Sequence, residues 1–188
     1  MEGCGWVGDD PLYRAYHDDE WGVPQRDARA LWEQLVLETF QSGLSWITIL
    51  RKREAFRAAF ADFDPAVIAR WGDAEVARLL ADPGIVRHRG KIMATIGNAQ
   101  AFLEMQAGQG FERFVWDHVN DTPLQPRRTV PAHVPARTDL SARLSRGLNA
   151  AGFRFCGPTT AYAFMQAAGL VNDHLTCCGC HDRVAALG

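Results

Sequence analysis

The chain has 188 residues, with 20 Lys+Arg against 22 Asp+Glu and a formal net charge of −2. Hydrophobic residues make up 47% and charged residues 22%. That balance excludes a disordered or fibrous chain and a uniformly basic nucleic-acid coat. The length suits one domain, residues 1–188, able to bury roughly 70% of its unfolded surface without disulfides.

The charge is unevenly spread. Residues 1–50 hold three bases (Arg14, Arg26 and Arg29) against nine acids, a net of −6, and the remainder holds 17 bases against 13 acids, a net of +4. Bases cluster at Arg51, Lys52, Arg53 and Arg57, at Arg87, Arg89 and Lys91, and at Arg137, Arg143, Arg146 and Arg154. Taken one by one, such clusters read as solvated helix faces. No run of about 18 apolar residues is present, so no membrane span is expected. The N-terminus lacks the basic segment and apolar run of a secretory signal. The expected state is a cytoplasmic monomer with reduced thiols. The five cysteines (Cys4, Cys156, Cys177, Cys178 and Cys180) are an odd number, which argues against a closed disulfide framework.

Helical spacing dominates the chain, and strand signals are nearly absent. Asp27 caps a predicted helix to about Phe40, with Leu31, Trp32, Leu35 and Val36 on one face. Ser45 caps a second, from Trp46 to about Phe60. Asp64-Pro65 is a cap followed by proline at the first helical position, opening a short helix to about Trp71. Asp73 caps another through Leu80, and Gly84 breaks the pattern. A long helix follows from about His88 to Gln106, and another from Phe111 to Val119. Residues 120–137 hold four prolines and read as an extended loop. Two helices follow, over about 139–150 and 158–169, and the tail from Asn172 is rich in His and Cys.

Cys4 and His17 lie near the start, and His174 and Cys178 near the end with i, i+4 spacing. Two ligands from each terminus would form a tetrahedral Cys2His2 zinc site, closed and therefore structural. It would tie down chain ends that otherwise fray. The tail also offers Cys177, Cys180 and His181, so spacing alone leaves the ligand choice open against buried free thiols.

Residues 139–169 contain a second signal. Gly152 can take the left-handed conformation that stops a helix, and Gly157-Pro158 starts the next with Thr159 and Thr160 in its first turn. A glycine-bounded hairpin at a helix N-terminus leaves N–H groups free for phosphate, and Arg146 and Arg154 lie nearby. The Gly157-x-x-Thr160-Ala161 portion resembles the helix–hairpin–helix element of DNA repair glycosylases. An ordinary helix–turn–helix connection has the same pattern.

The N-terminal third also gathers Trp6, Tyr13, Tyr16, Trp21 and Trp46. Glu38 falls among them, about 20° around its helix from Leu31, whereas Glu33 is on the far side. Such a half-buried acid is either a hydrogen-bonded structural group or a ligand contact.

Several runs together resemble the DNA-3-methyladenine glycosylase I family: Cys4-Gly5-Trp6, Tyr16-His17-Asp18, Glu20-Trp21-Gly22-Val23-Pro24, Gly43-Leu44-Ser45-Trp46, Arg87-His88-Arg89-Gly90-Lys91-Ile92 and Gly169-Leu170-Val171-Asn172-Asp173-His174. The match covers about residues 4–178 in the family's order. The resemblance implies an all-α helix–hairpin–helix glycosylase fold that excises 3-methyladenine from double-stranded DNA. It implies one structural Zn2+ at Cys4, His17, His174 and Cys178, although the redundant Cys177 and Cys180 keep that choice open. It further implies Glu38 as the base-contacting acid, Tyr16 and Trp46 as stacking residues, and Trp6, Tyr13 and Trp21 as pocket wall. Gly43 and Leu44 take the place of a wedge, and Gly152, Arg154, Gly157, Thr159 and Thr160 that of the phosphate contact. Asp173 stands as the alternative acid for positioning water.

Overall fold

A computed structural model describes residues 3–188. The first helix, α1 (Pro11–Asp19), is one the sequence reading did not anticipate. Asp10 accepts from the Leu12 and Tyr13 N–H groups, and Pro11 occupies the first helical position. Next, α2 (Ala28–Gln41) begins at Asp27, whose carboxylate accepts from the Ala30 N–H. Its buried face carries Leu31, Trp32, Leu35, Val36 and Phe40, and the Trp32 indole donates to the Phe63 carbonyl at 3.0 Å. Glu33 faces outward and pairs with Arg57 at 2.8 Å.

The helix expected from Trp46 to Phe60 is in fact two, α3 (Trp46–Leu50) and α4 (Arg53–Ala59). Lys52 lies at the break, its Nζ donating to the Pro83 and Gly84 carbonyls at 2.9 and 3.1 Å. Those bonds fix the turn, and Arg51 and Arg53 are paired with Asp10 and Glu20. Ser45 sits at the cap, but its hydroxyl meets the Thr48 hydroxyl (2.8 Å) instead of a backbone N–H.

Asp64 caps α5 (Pro65–Ile68), which stops short of Trp71. For α6 (Asp73–Ala81) the cap is Gly72 and not Asp73, with the Gly72 N–H donating to Glu75 at 2.8 Å. His88 caps the long α7 (Arg89–Ala107), and α8 (Phe111–Asp117) follows. The proline-rich stretch contributes an isolated parallel bridge, Leu124 with Val171, and a single 3-10 turn over Pro131–His133. The chain finishes with α9 (Asp139–Ala150), α10 (Pro158–Ala167) and α11 (Cys180–Ala185), the last also unanticipated. Among the described residues, no helix is long and apolar enough to cross a membrane.

Helix α2 runs through the centre and packs on α3, α7, α8 and α10. The segment after α1 lies across the C-terminal end of α10, with the Gly22 N–H donating to Gln166 O (3.1 Å) and the Gln25 N–H to Ala168 O (3.0 Å). Gly169 makes this approach possible. Its φ is +75°, and a Cβ there would sit 2.4 Å from the Val23 carbonyl carbon. Gly169→Ala is expected to destabilise the fold by at least about 2 kcal/mol. Urea unfolding reads this as a lower midpoint at constant m-value, and an unchanged midpoint would show that the close approach is dispensable.

Candidate active site and metal centre

A cavity of about 560 Å3 opens between α1, α2, α3, α10 and the chain termini. Trp6, Tyr13, Tyr16, Trp21, Glu38 and Trp46 all line it, as the sequence reading expected. Tyr13 and Tyr16 stand one turn apart on α1, so both side chains face the same way. The rings form two packed groups: Trp6 lies 4.8 Å from Tyr13 and 5.1 Å from Trp21, and Tyr16 lies 5.3 Å from Trp46, between centroids. The Trp46 Nε1–H is buried without a partner among the described residues, which leaves a spare donor in this wall. Gln41, Gln166, Pro131 and Val134 also line the cavity and were not foreseen.

Glu38 is buried, and Gln34, one turn earlier on α2, donates to its Oε1 at 2.9 Å. Loss of hydration raises the carboxyl from its ordinary 4.5 to about 8, against the opposing pull of the Gln34 bond. Burial thus favours the uncharged form of this acid. Asp173, also at the cavity edge, is differently engaged. Its carboxylate accepts from Arg128 Nε (3.0 Å), the Tyr162 hydroxyl (2.5 Å) and Gln166 Nε2 (2.9 Å).

Cys4, His17, His174 and Cys178 are all buried, and their ligand atoms lie within 4.8 Å of one another. The Cys4 sulfur is 3.6 Å from His174 Nδ1, and the Cys178 sulfur is 3.8 Å from both His17 Nε2 and His174 Nδ1. Tetrahedral zinc with ordinary Zn–S and Zn–N bonds separates S from N by about 3.6 Å. The second nitrogen of each ring faces an acceptor, His17 Nδ1 the Asp18 carboxylate (2.7 Å) and His174 Nε2 the Trp21 carbonyl (2.9 Å). Each must donate there, so the lone pairs of His17 Nε2 and His174 Nδ1 point to the sulfurs. The donor set fits a zinc ion. Cys177 is exposed, and Cys180 lies outside the four-residue group, 3.5 Å from Asp18.

Two loops flank the cavity's scaffold. Between α2 and α3, Gly43 has φ +88° and Leu44 is 40% exposed. Between α9 and α10, Gly152 has φ +99° and Gly157 caps α10 with no side-chain partner for its first-turn N–H groups. Thr159 is exposed and Thr160 half-buried. Arg154 is exposed, yet its guanidinium folds back onto the Asn149 and Phe153 carbonyls at 3.3 and 2.9 Å. The cluster at Arg51, Arg53 and Arg57 is not a free basic face, because these residues pair with Asp10, Glu20, Glu33 and Glu54.

A helical scaffold around an aromatic cavity lined by two buried acids, Glu38 and Asp173, defines an all-helical protein with a pocket suited to a flat ring. The methyladenine glycosylase family model matches residues 6–181, and the chain belongs to that family. It is 53% identical over 182 residues to DNA-3-methyladenine glycosylase 1 of Escherichia coli (strain K12), covering 96% of this chain and 97% of that protein. Among solved structures, it resembles 3-methyladenine DNA glycosylase I at a TM-score of 0.94 and 50% identity, covering 95% of this chain and 99% of the other. It also resembles a variant of 3-methyladenine DNA glycosylase I in complex with 3-methyladenine, at a TM-score of 0.92 and 38% identity, with 96% and 98% covered.

The state of Glu38 has a consequence for stability. The folded chain keeps a proton that the unfolded chain loses above its ordinary 4.5, so this contribution is full below 4.5 and is lost as pH rises to about 8. Glu38→Gln is expected to remove the slope and to exceed the parent in stability at pH 8, by on the order of a few kcal/mol. Urea unfolding of both proteins at pH 5 and pH 8 measures the difference. Parallel pH dependence would mean that the acid is not desolvated.

Proposed function

We infer that the protein is a DNA repair glycosylase that hydrolyses the N-glycosidic bond of 3-methyladenine, releasing the free base and leaving an abasic site. The observation that carries this reading is the buried Glu38 in a cavity walled by Trp6, Tyr13, Tyr16, Trp21 and Trp46, in a chain of the methyladenine glycosylase family.

Methylation at N3 puts positive charge on the adenine and weakens its bond to the sugar. The base is then a good leaving group, and strong general-acid help is unnecessary. Aromatic faces favour a cationic base over a neutral one by about 0.5–2 kcal/mol per contact. Glu38 adds a second discrimination. A cation beside the carboxyl lowers its pKa, so entry of the methylated base favours the ionised form and creates a charge-assisted contact. Unmethylated adenine brings no charge and meets a neutral acid. Gln34 occupies Oε1, which leaves Oε2 for the base edge. In this reading Glu38 is the principal functional acid. The three donors on Asp173 support a structural role for it, holding Arg128, Tyr162 and the cavity-lining Gln166 in place.

The damaged nucleotide must leave the duplex, at a cost of a few kcal/mol. Leu44, exposed beside Gly43, suits the gap left behind. The segment 139–169 serves as a helix–hairpin–helix: Gly152 turns the chain with its N–H on the Asn149 carbonyl, and the start of α10 at Gly157, Thr159 and Thr160 offers N–H groups to phosphate. Arg154 adds a guanidinium near that turn, and residues 1–188 act as one helical unit. We assign one structural Zn2+ to Cys4, His17, His174 and Cys178. When bound, zinc supplies a cross-link between the termini, and with four protein ligands it has no open position for a catalytic water.

Incubation with alkylated double-stranded DNA should release 3-methyladenine, identified by chromatography, and failure of the metal-loaded protein to release it overturns the assignment. Glu38→Gln should weaken binding of free 3-methyladenine roughly tenfold, without abolishing release of so labile a base. Unchanged affinity and rate would remove Glu38 from the site. Elemental analysis should find one zinc per chain, lost with lowered stability in Cys4→Ala. A full equivalent in that variant would mean another ligand set.

A further inference from the structure

Helix α7 carries three buried polar side chains that the proposed chemistry does not use; Thr95 bonds within the helix, and Lys91 and Asn98 reach beyond it. Lys91 is only 7% exposed, and its ammonium donates to the Phe40 carbonyl at 3.0 Å and the Ser42 carbonyl at 2.7 Å. Those carbonyls stand at the C-terminal end of α2 and at the root of the loop bearing Gly43 and Leu44. The positive charge meets the negative end of the helix and satisfies carbonyls that have no partner within it. Asn98 is 2% exposed and pairs with both backbone groups of Arg154. Its Nδ2 donates to Arg154 O at 3.1 Å, and its Oδ1 accepts from the Arg154 N–H at 2.7 Å. The carboxamide thus acts as a strand would, clamping the hairpin at the residue after Phe153.

Lys91 and Asn98 are seven residues apart, which is two turns of α7. They lie close to one face of the helix, roughly 10 Å apart along its axis. The hairpin also touches the start of this helix, because the Phe155 ring lies 6.0 Å from the His88 ring. Burying an ammonium costs free energy unless it is well paired. Here the partners are carbonyls at the root of one loop, which points to the shape of that loop as what the charge secures.

We propose that Lys91 and Asn98 are positioning residues through which α7 holds the Leu44 loop and the Gly152–Gly157 hairpin at a set separation. DNA gripped by its phosphates at the hairpin is then wedged at a defined base step. The inference rests on the DNA-facing reading of both loops given above. Neither side chain touches the base. Their effect is on presentation of the nucleotide to the cavity.

Single-stranded DNA has no base pair to open, so it separates this role from support of the pocket. The test compares the parent with Lys91→Met, which removes the ammonium and keeps most of the stem, and with Asn98→Ala. Four quantities are measured: single-turnover release of 3-methyladenine from alkylated duplex, the same from single-stranded DNA of identical sequence, tryptophan quenching by free 3-methyladenine, and zinc content. The duplex rate is expected to fall at least about tenfold, since a misplacement of about 1 Å at a reacting centre is enough for such losses. Release from the single strand and affinity for the free base should stay within about twofold. Equal losses on the two substrates, or weakened free-base affinity, overturn the proposal in favour of general support of the fold. Unchanged duplex rates in both variants overturn it as well. Where Lys91→Met loses zinc or helicity, Asn98→Ala decides, because it removes no charge and leaves the end of α2 intact. A parent protein that releases no base from either substrate refutes the proposed function and is distinguishable from each of these results.

Discussion

The meeting of Cys4, His17, His174 and Cys178 within 4.8 Å is the constraint on which the site depends. It joins the segment that carries Cys4 and His17 to the segment that carries His174 and Cys178, and both segments line the cavity. Cys4 belongs to the cluster and also lines the cavity. His17 shares α1 with Tyr13 and Tyr16, so fixing the histidine fixes the two tyrosines. The Trp6 and Trp21 rings pack on His17 and His174 at centroid distances of 5.3 and 4.7 Å. Gly22 leaves room for this packing, since a Cβ there would come within 3.2 Å of the His174 ring. Four of the five rings of the wall are therefore tied to the cluster, and the fifth, Trp46, is placed by α3.

Electrostatics follow the same division. The acidic first third of the chain is largely compensated within the fold, where Arg51, Arg53 and Arg57 face Asp10, Glu20 and Glu33. Among the described residues, Arg87, Arg143 and Arg146 form no ion pair and are exposed. The net charges of −6 and +4 thus do not describe two opposing faces. What is left is a basic remainder on the later helices and, in the cavity, Glu38, whose burial favours the protonated form, beside Asp173, which is bonded to Arg128.

Much of this was legible in residue order. Asp27, Asp64-Pro65 and Gly152 announced their helix ends, and the helical angle between Leu31 and Glu38 placed that acid on the buried side of α2. Asp10-Pro11 is the same signal as Asp64-Pro65, yet α1 was overlooked because its nine residues mix aromatic, basic and acidic side chains without a clean apolar stripe. The break at Lys52 is set by carbonyls of Pro83 and Gly84, some thirty residues away, and no local pattern encodes such a partner. Pro131 and Val134 reach the cavity from a loop with no periodicity. Cys178 was favoured over Cys177 and Cys180 by its i, i+4 spacing from His174, and the structure groups its sulfur with Cys4, His17 and His174 while Cys177 is exposed.

Burial favours the protonated form of Glu38, and the other carboxylate of the cavity, Asp173, is turned onto Arg128, Tyr162 and Gln166, so the pocket offers little free negative charge to solvent. Potassium, magnesium and polyamines, abundant wherever DNA is, find little there to neutralise. The aromatic wall alone holds them weakly against their own hydration. In the proposed reading the recognition charge arises only when a flat cation has entered beside Glu38. Ionic competition is thereby avoided in a search conducted along a polyanion surrounded by counterions.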